Sequence, residues 1–240
     1  MNWVLQNPAP VIKNTTRALF EYNDDDEIYL SSGCYWHDGT IKRMVHWNSK
    51  LTYQFSSLAA DDWSYLYLDD SAIVTADTNL LTASELTDST TEPTWSASKG
   101  GWYNGNDLCI FAVLGDGSGD ILEFVHANDF VTYTTSQVEL SNYDLDASWE
   151  NVTLTAPSYC TKINTLIRIE EDGVTSVHYR PNGSSGSGIE LGLVNASSTR
   201  EAVIVDVVTD NSQIIEVKFS QGGSNEIHIK TNGWFFPIGM

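Results

Sequence analysis

Residues 61–124 read DDWSYLYLDDSAIVTADTNLLTASELTDSTTEPTWSASKGGWYNGNDLCIFAVLGDGSGDILEF, and this stretch decides the fold class. In WSYLYLD (63–69), Trp63, Tyr65 and Tyr67 fall on one face and Ser64, Leu66 and Leu68 on the other. Two-residue alternation in aromatic and apolar side chains predicts a sheet strand. LCIFAVL (108–114) is a continuous apolar run, the pattern of a strand covered on both faces. Glycine-rich GDGSGD and then ILEFVH follow it, so residues 108–126 are predicted to form a β-hairpin. Between the strands, EPTWSASKGGWYNGND (92–107) is a polar excursion that carries aromatics but no apolar period.

Upstream, GTIKRMVHW alternates Ile41, Arg43, Val45 and Trp47 against Lys42, Met44 and His46, and LTYQF alternates Leu51, Tyr53 and Phe55 against Thr52 and Gln54. The short Asn48-Ser49-Lys50 connection predicts a hairpin between them, and Asp38-Gly39 marks a tight turn. No segment holds a helical period for three turns. Residues 1–20 read as an extended arm broken by Pro8 and Pro10, whose Trp3, Val4, Leu5, Val11 and Ile12 could pack back on the body or dock on a neighbouring subunit.

Downstream, a strand is predicted over 130–134, then a polar, acidic linker over 136–150. From residue 151, seven strand patterns recur about every ten residues between turn words such as Asp172-Gly173, Pro181-Asn182-Gly183 and Gly222-Gly223. Ile163, Thr165, Ile167 and Ile169 share a face, as do Ile215, Val217 and Phe219, and Ile227, Ile229 and Thr231. The expectation is an all-β chain: an arm (1–20), an N-terminal antiparallel β module (21–135), a linker (136–150) and a C-terminal jelly-roll-like β-sandwich (151–240).

Charge narrows the function classes. There are 32 acids against 12 Lys and Arg, a net charge of −20, with 22 acids and 6 bases in residues 1–146. Nucleic-acid binding needs clustered Lys and Arg, and an anionic membrane surface needs the same, so neither partner is expected. No run approaches the roughly 18 consecutive apolar residues of a membrane helix, so no membrane insertion is expected. The N-terminal residues lack the basic and apolar regions of a secretory signal. Cys34, Cys109 and Cys160 are odd in number and far apart, fitting neither a disulfide framework nor zinc spacing, so buried thiols made in a reducing cytoplasm are expected.

Catalytic and metal motifs are sparse. Asp24-Asp25-Asp26-Glu27 and Asp116-Gly117-Ser118-Gly119-Asp120 offer oxygens to Ca²⁺, but the second run has Ala127 where a calcium loop needs its twelfth-position glutamate. Both read as turns, and neither a metal nor a cofactor is expected. Asp61-Asp62 and Asp69-Asp70 flank one strand and stand ~20 Å apart by the rise per residue, too far for a glycosidase pair, so they read as surface turns. The five histidines never adopt a metal-ligand spacing, and no nucleophile elbow or phosphate loop occurs. No catalytic residues are therefore assigned.

One binding candidate remains: Trp95, Trp102 and Tyr103 beside Asn104, Asn106 and Asp107. Rings stack on apolar sugar faces while amides and carboxylates read hydroxyls. The same aromatics equally serve as anchors that pack a long loop, in which case residues 92–107 should be ordered against strands or a neighbouring subunit.

The word order Y-L-Y-L-D, then T-x-P-T-W-S, then G-W-Y-N-G-x-D resembles a β module of structural proteins of tailed bacteriophages, chiefly fibre-like and virion-surface proteins. The resemblance covers roughly residues 20–135 and, more loosely, the C-terminal half. It implies a non-enzymatic fibre, tail-tip or capsid-surface protein, made in the host cytoplasm and carried on the virion. It also implies a homo-oligomer, expected as a trimer, held to other virion proteins through the arm. A carbohydrate-binding adhesin contacting host-surface glycan is the alternative, and a polysaccharide depolymerase a third.

Overall fold

The computed structural model describes residues 17–171, 175–194, 199–220 and 226–240. The arm residues Trp3, Val4, Leu5, Val11 and Ile12 lie outside them. The described chain is all-β, as the alternation predicted. In its first part come β1 (Phe20–Asp24), β2 (Glu27–Leu30), β3 (Gly33–Asp38), β4 (Lys42–Trp47), β5 (Leu51–Gln54) and β6 (Trp63–Leu68). A short helix α1 (Asp70–Ala76) and a 3₁₀ turn (Ala83–Glu85) follow. Next are β7 (Leu86–Ser89), β8 (Thr94–Ser96), β9 (Gly101–Asn104), β10 (Asp107–Leu114), β11 (Phe124–Ala127) and β12 (Phe130–Asp144). The last part supplies β13 (Glu150–Thr153), β14 (Lys162–Glu171), β15 (Thr175–Pro181), β16 (Ile189–Val194), β17 (Thr199–Val208), β18 (Ile214–Phe219) and β19 (Glu226–Phe235).

These strands form an eight-stranded sheet ordered β17-β14-β19-β12-β11-β1-β2-β5 and a five-stranded sheet ordered β7-β6-β10-β9-β8. A four-stranded sheet, β13-β18-β15-β16, and the β3-β4 hairpin complete the set. The eight-stranded sheet crosses the boundary expected at 136–150. β12 runs 15 residues through most of that segment and pairs antiparallel with β19, so residues 136–144 are strand rather than linker. The exposed residues of that segment include Ser141, Asn142, Tyr143 and Asp144, which is why its composition resembles a linker.

Two predicted hairpins are re-routed. β4 pairs with β3 and β5 with β2, so Asn48-Ser49-Lys50 joins two different sheets instead of turning a hairpin. The loop after β10 does close on itself, through Gly115 and Ile121, but β11 then leaves for β1 and β12. β10 instead sits between β6 and β9, the central place that a run apolar on both faces demands. β6 is central too: Leu66 and Leu68 are as buried as Tyr65 and Tyr67.

The seven C-terminal strand patterns all form strands, shared between the four- and eight-stranded sheets. Ile163, Thr165, Ile167, Ile215, Val217, Phe219, Ile227, Ile229 and Thr231 are all buried, as the stripes predicted. The two larger sheets meet through aromatic contacts. Phe20 of β1 stacks on Phe111 of β10 at 4.1 Å and 7°, and Phe111 also meets Phe124, Trp234 and Phe236. Offset ring pairs of this kind add to the apolar area they bury.

Candidate functional site

The excursion over 92–107 is built of strands. β8 pairs with β9, and β9 turns into β10 through a two-residue loop in which Gly105 adopts φ 61°. Glycine at the first central position is what a two-residue hairpin of this type requires. The residues expected to be ordered against strands therefore extend the five-stranded sheet themselves.

Each candidate side chain has a definite place. Tyr103 is buried, 3% exposed, and its hydroxyl accepts from the Asp38 N–H at 3.1 Å. Burial pushes its phenol up from the usual range. Asp107 accepts from the Asp70 N–H at 2.8 Å, fixing the start of α1, and burial raises its carboxyl despite that bond. Asn106 accepts from Lys99 Nζ at 2.8 Å and donates to Thr40 Oγ1 at 3.2 Å, while Asn104 is half-buried at the turn. Trp102 donates its indole N–H to the Ile238 carbonyl. Trp95 is 46% exposed, meets Trp102 edge-on at 5.7 Å, and lies against Gly239.

The structure thus brings Trp95, Trp102 and Tyr103 together with the segment after β19. Beside them lies a cavity of about 280 Å³ lined by Tyr35, Trp36, Lys99, Tyr103, Ile238 and Met240. Arg17 reaches the same segment, donating to the Met240 oxygen at 2.6 Å and lying over the Phe236 ring at 4.1 Å. Chemically the hairpin offers one exposed indole, a neighbouring indole and an ammonium. Most of its polar groups are engaged internally.

A second cluster escapes sequence reading. His37 Nε2 lies 2.9 Å from Asp70 Oδ1, and Thr40 gives Asp70 both its N–H (2.8 Å) and its hydroxyl (2.6 Å). Burial alone would raise the Asp70 carboxyl, but the bonds from Thr40 and His37 outweigh it and hold it below the usual range. Asp69 and Asp70, expected in a surface turn, thus have distinct duties: Asp69 caps α1 by accepting from Ala72 N–H, and Asp70 is buried. The available signal was an Asp followed by a short apolar run, an N-cap pattern. His37 is fully buried, so this pair reaches no substrate and acts as a pin between β3 and α1.

The two acidic runs lie at turns, as expected. Asp116 Oδ1 accepts from Ser118 and Asp120 N–H groups, and Asp26 accepts from Gln54. Among the described residues, no three His, Cys, Asp or Glu side chains gather as a metal site. Cys109 and Cys160 are buried free thiols, while Cys34 is half-buried rather than buried.

No family model matches the chain, and no curated protein matches it. Among solved structures, a Bacillus thuringiensis Cry1Da tryptic core variant is similar at 10% identity with a TM-score of 0.25, over 90% of this chain and 50% of that one. This chain spans half the length of that protein, and a likeness at this level assigns neither fold nor function.

Proposed function

We propose that the chain is a non-enzymatic structural component of a tailed-phage virion, at a fibre, tail-tip or capsid-surface position, mediating assembly or contact with the host surface. The observation that carries this reading is the ordered set of words Y-L-Y-L-D, T-x-P-T-W-S and G-W-Y-N-G-x-D, which fall on β6, β8 and β9 of one sheet. An all-β chain with strong excess acid suits a protein that must stay dispersed until it assembles. The chain assembles with copies of itself as a trimer and with other virion proteins through residues 1–20. Light scattering at micromolar concentration tests the assembly: a mass near three times 26.6 kDa is expected, and a monomer overturns it.

The half-exposed Trp95 beside Trp102 favours a second reading, a carbohydrate-binding adhesin for host-surface glycan. A glycan array separates the two. Binding that is lost in Trp95→Ala supports the adhesin, and no binding leaves the structural role alone.

A further inference from the structure

We propose that a second cleft, between β6, β12 and the segment 153–158, binds a saccharide built of neutral or amino sugars. This goes beyond the structural role above and does not rest on it. The cleft has a volume of about 390 Å³ and is lined by Trp63, Asp61, Glu92, Gln137, Glu139 and Thr155 among others. That is near the small end of ligand pockets, about 300–1,000 Å³, and suits one or two sugar rings.

Its construction is specific. β12 pairs Thr132 with Gly233 but then Gln137 with Thr231, so the intervening residues of β12 bulge out of the ladder. Bulges re-aim side chains beside sites, and Gln137 and Glu139 line the cleft directly after this one. The floor is pinned from several directions. Gln213 donates to the Ser158 and Cys160 carbonyls at 2.9 and 3.1 Å, and Tyr133 donates to the Thr155 carbonyl at 3.1 Å. Tyr65 donates to Ser158 Oγ at 3.1 Å, and Glu139 Oε1 accepts from Thr155 N–H at 2.8 Å and from Thr231 Oγ1 at 2.5 Å. A cleft held this way needs little ordering when a ligand enters.

The lining chemistry selects the ligand class. Trp63 is partly buried and offers a ring on which an apolar sugar face can stack. Asp61, Glu92 and Glu139 supply acceptors for hydroxyl or ammonium groups, and Glu139 is held in place by Thr155 and Thr231. No Lys or Arg is among the lining residues, so uronic and other acidic sugars are repelled. A bare cation is a poorer fit, because among the described residues no three carboxylates converge on a point.

The test is an array of neutral, amino-hexose and uronic-acid oligosaccharides, followed by calorimetric titration of the best binder. A neutral or amino sugar should bind. Trp63→Ala should weaken it at least ten-fold, Glu92→Gln, at an exposed position that leaves the fold intact, several-fold, and Trp95→Ala not at all. The proposal is overturned if no glycan binds, if acidic sugars bind best, or if binding survives both Trp63→Ala and Glu92→Gln.

Discussion

The indole N–H of Trp102 donates to the Ile238 carbonyl oxygen at 3.2 Å, joining two residues 136 positions apart. With Trp95 lying on Gly239 and Arg17 bonded to Met240, this contact straps the segment after β19 across the β8-β9 hairpin. Trp102→Phe keeps most of the ring packing and removes the donor. The expected cost is about 1 kcal/mol in urea unfolding, with faster amide exchange confined to the strap. An unchanged exchange pattern would show that Trp102 is not an anchor.

Asp70 holds His37, Thr40 N–H and Thr40 Oγ1 at once. Asp70→Ala strands these buried groups and should cost about 3 kcal/mol, read from the shift in urea midpoint. The sign with pH follows from a carboxyl held below 3.8 in the folded state. Its stabilisation is present above that value and disappears as pH falls through the lower folded-state pKa. Asp70→Asn should therefore flatten the acid limb of stability below about pH 4.

His126 stacks among Phe20, Phe111 and Phe236, accepts from the Phe20 N–H at 3.0 Å and donates to the Asn128 carbonyl at 3.0 Å. Burial, with Arg17 nearby, outweighs the bond to the Asn128 carbonyl and the charge of Asp129 and lowers its pKa from 6.5 to about 4. Between those values the unfolded chain takes up a proton that the folded chain refuses, so stability falls with pH across that window and levels off below it. Folding free energies measured from pH 7 to 4 should show a slope of up to about 1.4 kcal/mol per pH unit that His126→Gln removes.

What was legible in the chain was period. Strands such as β14 and β18 bury every second residue, so their existence and inward faces could be read directly. Pairing could not, because alternation says nothing of which neighbour a strand takes. β4 and β5 are three residues apart yet join different sheets, and β12 looked like a linker because its outer side is polar. α1 is too short to show a helical period, and its evidence lay only in the Asp69 cap. The aromatic hairpin was visible as composition. The contacts that occupy it come from residues 38, 70 and 238, which no local pattern connects.

Gly233 lies where β19 crosses β12, and a methyl there would fall on the Val131 carbonyl oxygen and the Thr132 backbone. Backbone cannot yield as a side chain can, so Gly233→Ala should lower stability by more than about 2 kcal/mol. Gly117→Ala, with open space around it, should change stability by less than about 0.5 kcal/mol, both variants being read by urea unfolding.

The proposed place in a virus particle is read by immuno-electron microscopy of purified particles with antibody to this chain. Label in a fixed position on the fibre, tail tip or capsid surface is the expected result. Unlabelled particles, with the chain recovered only in the soluble fraction of infected cells, would contradict it.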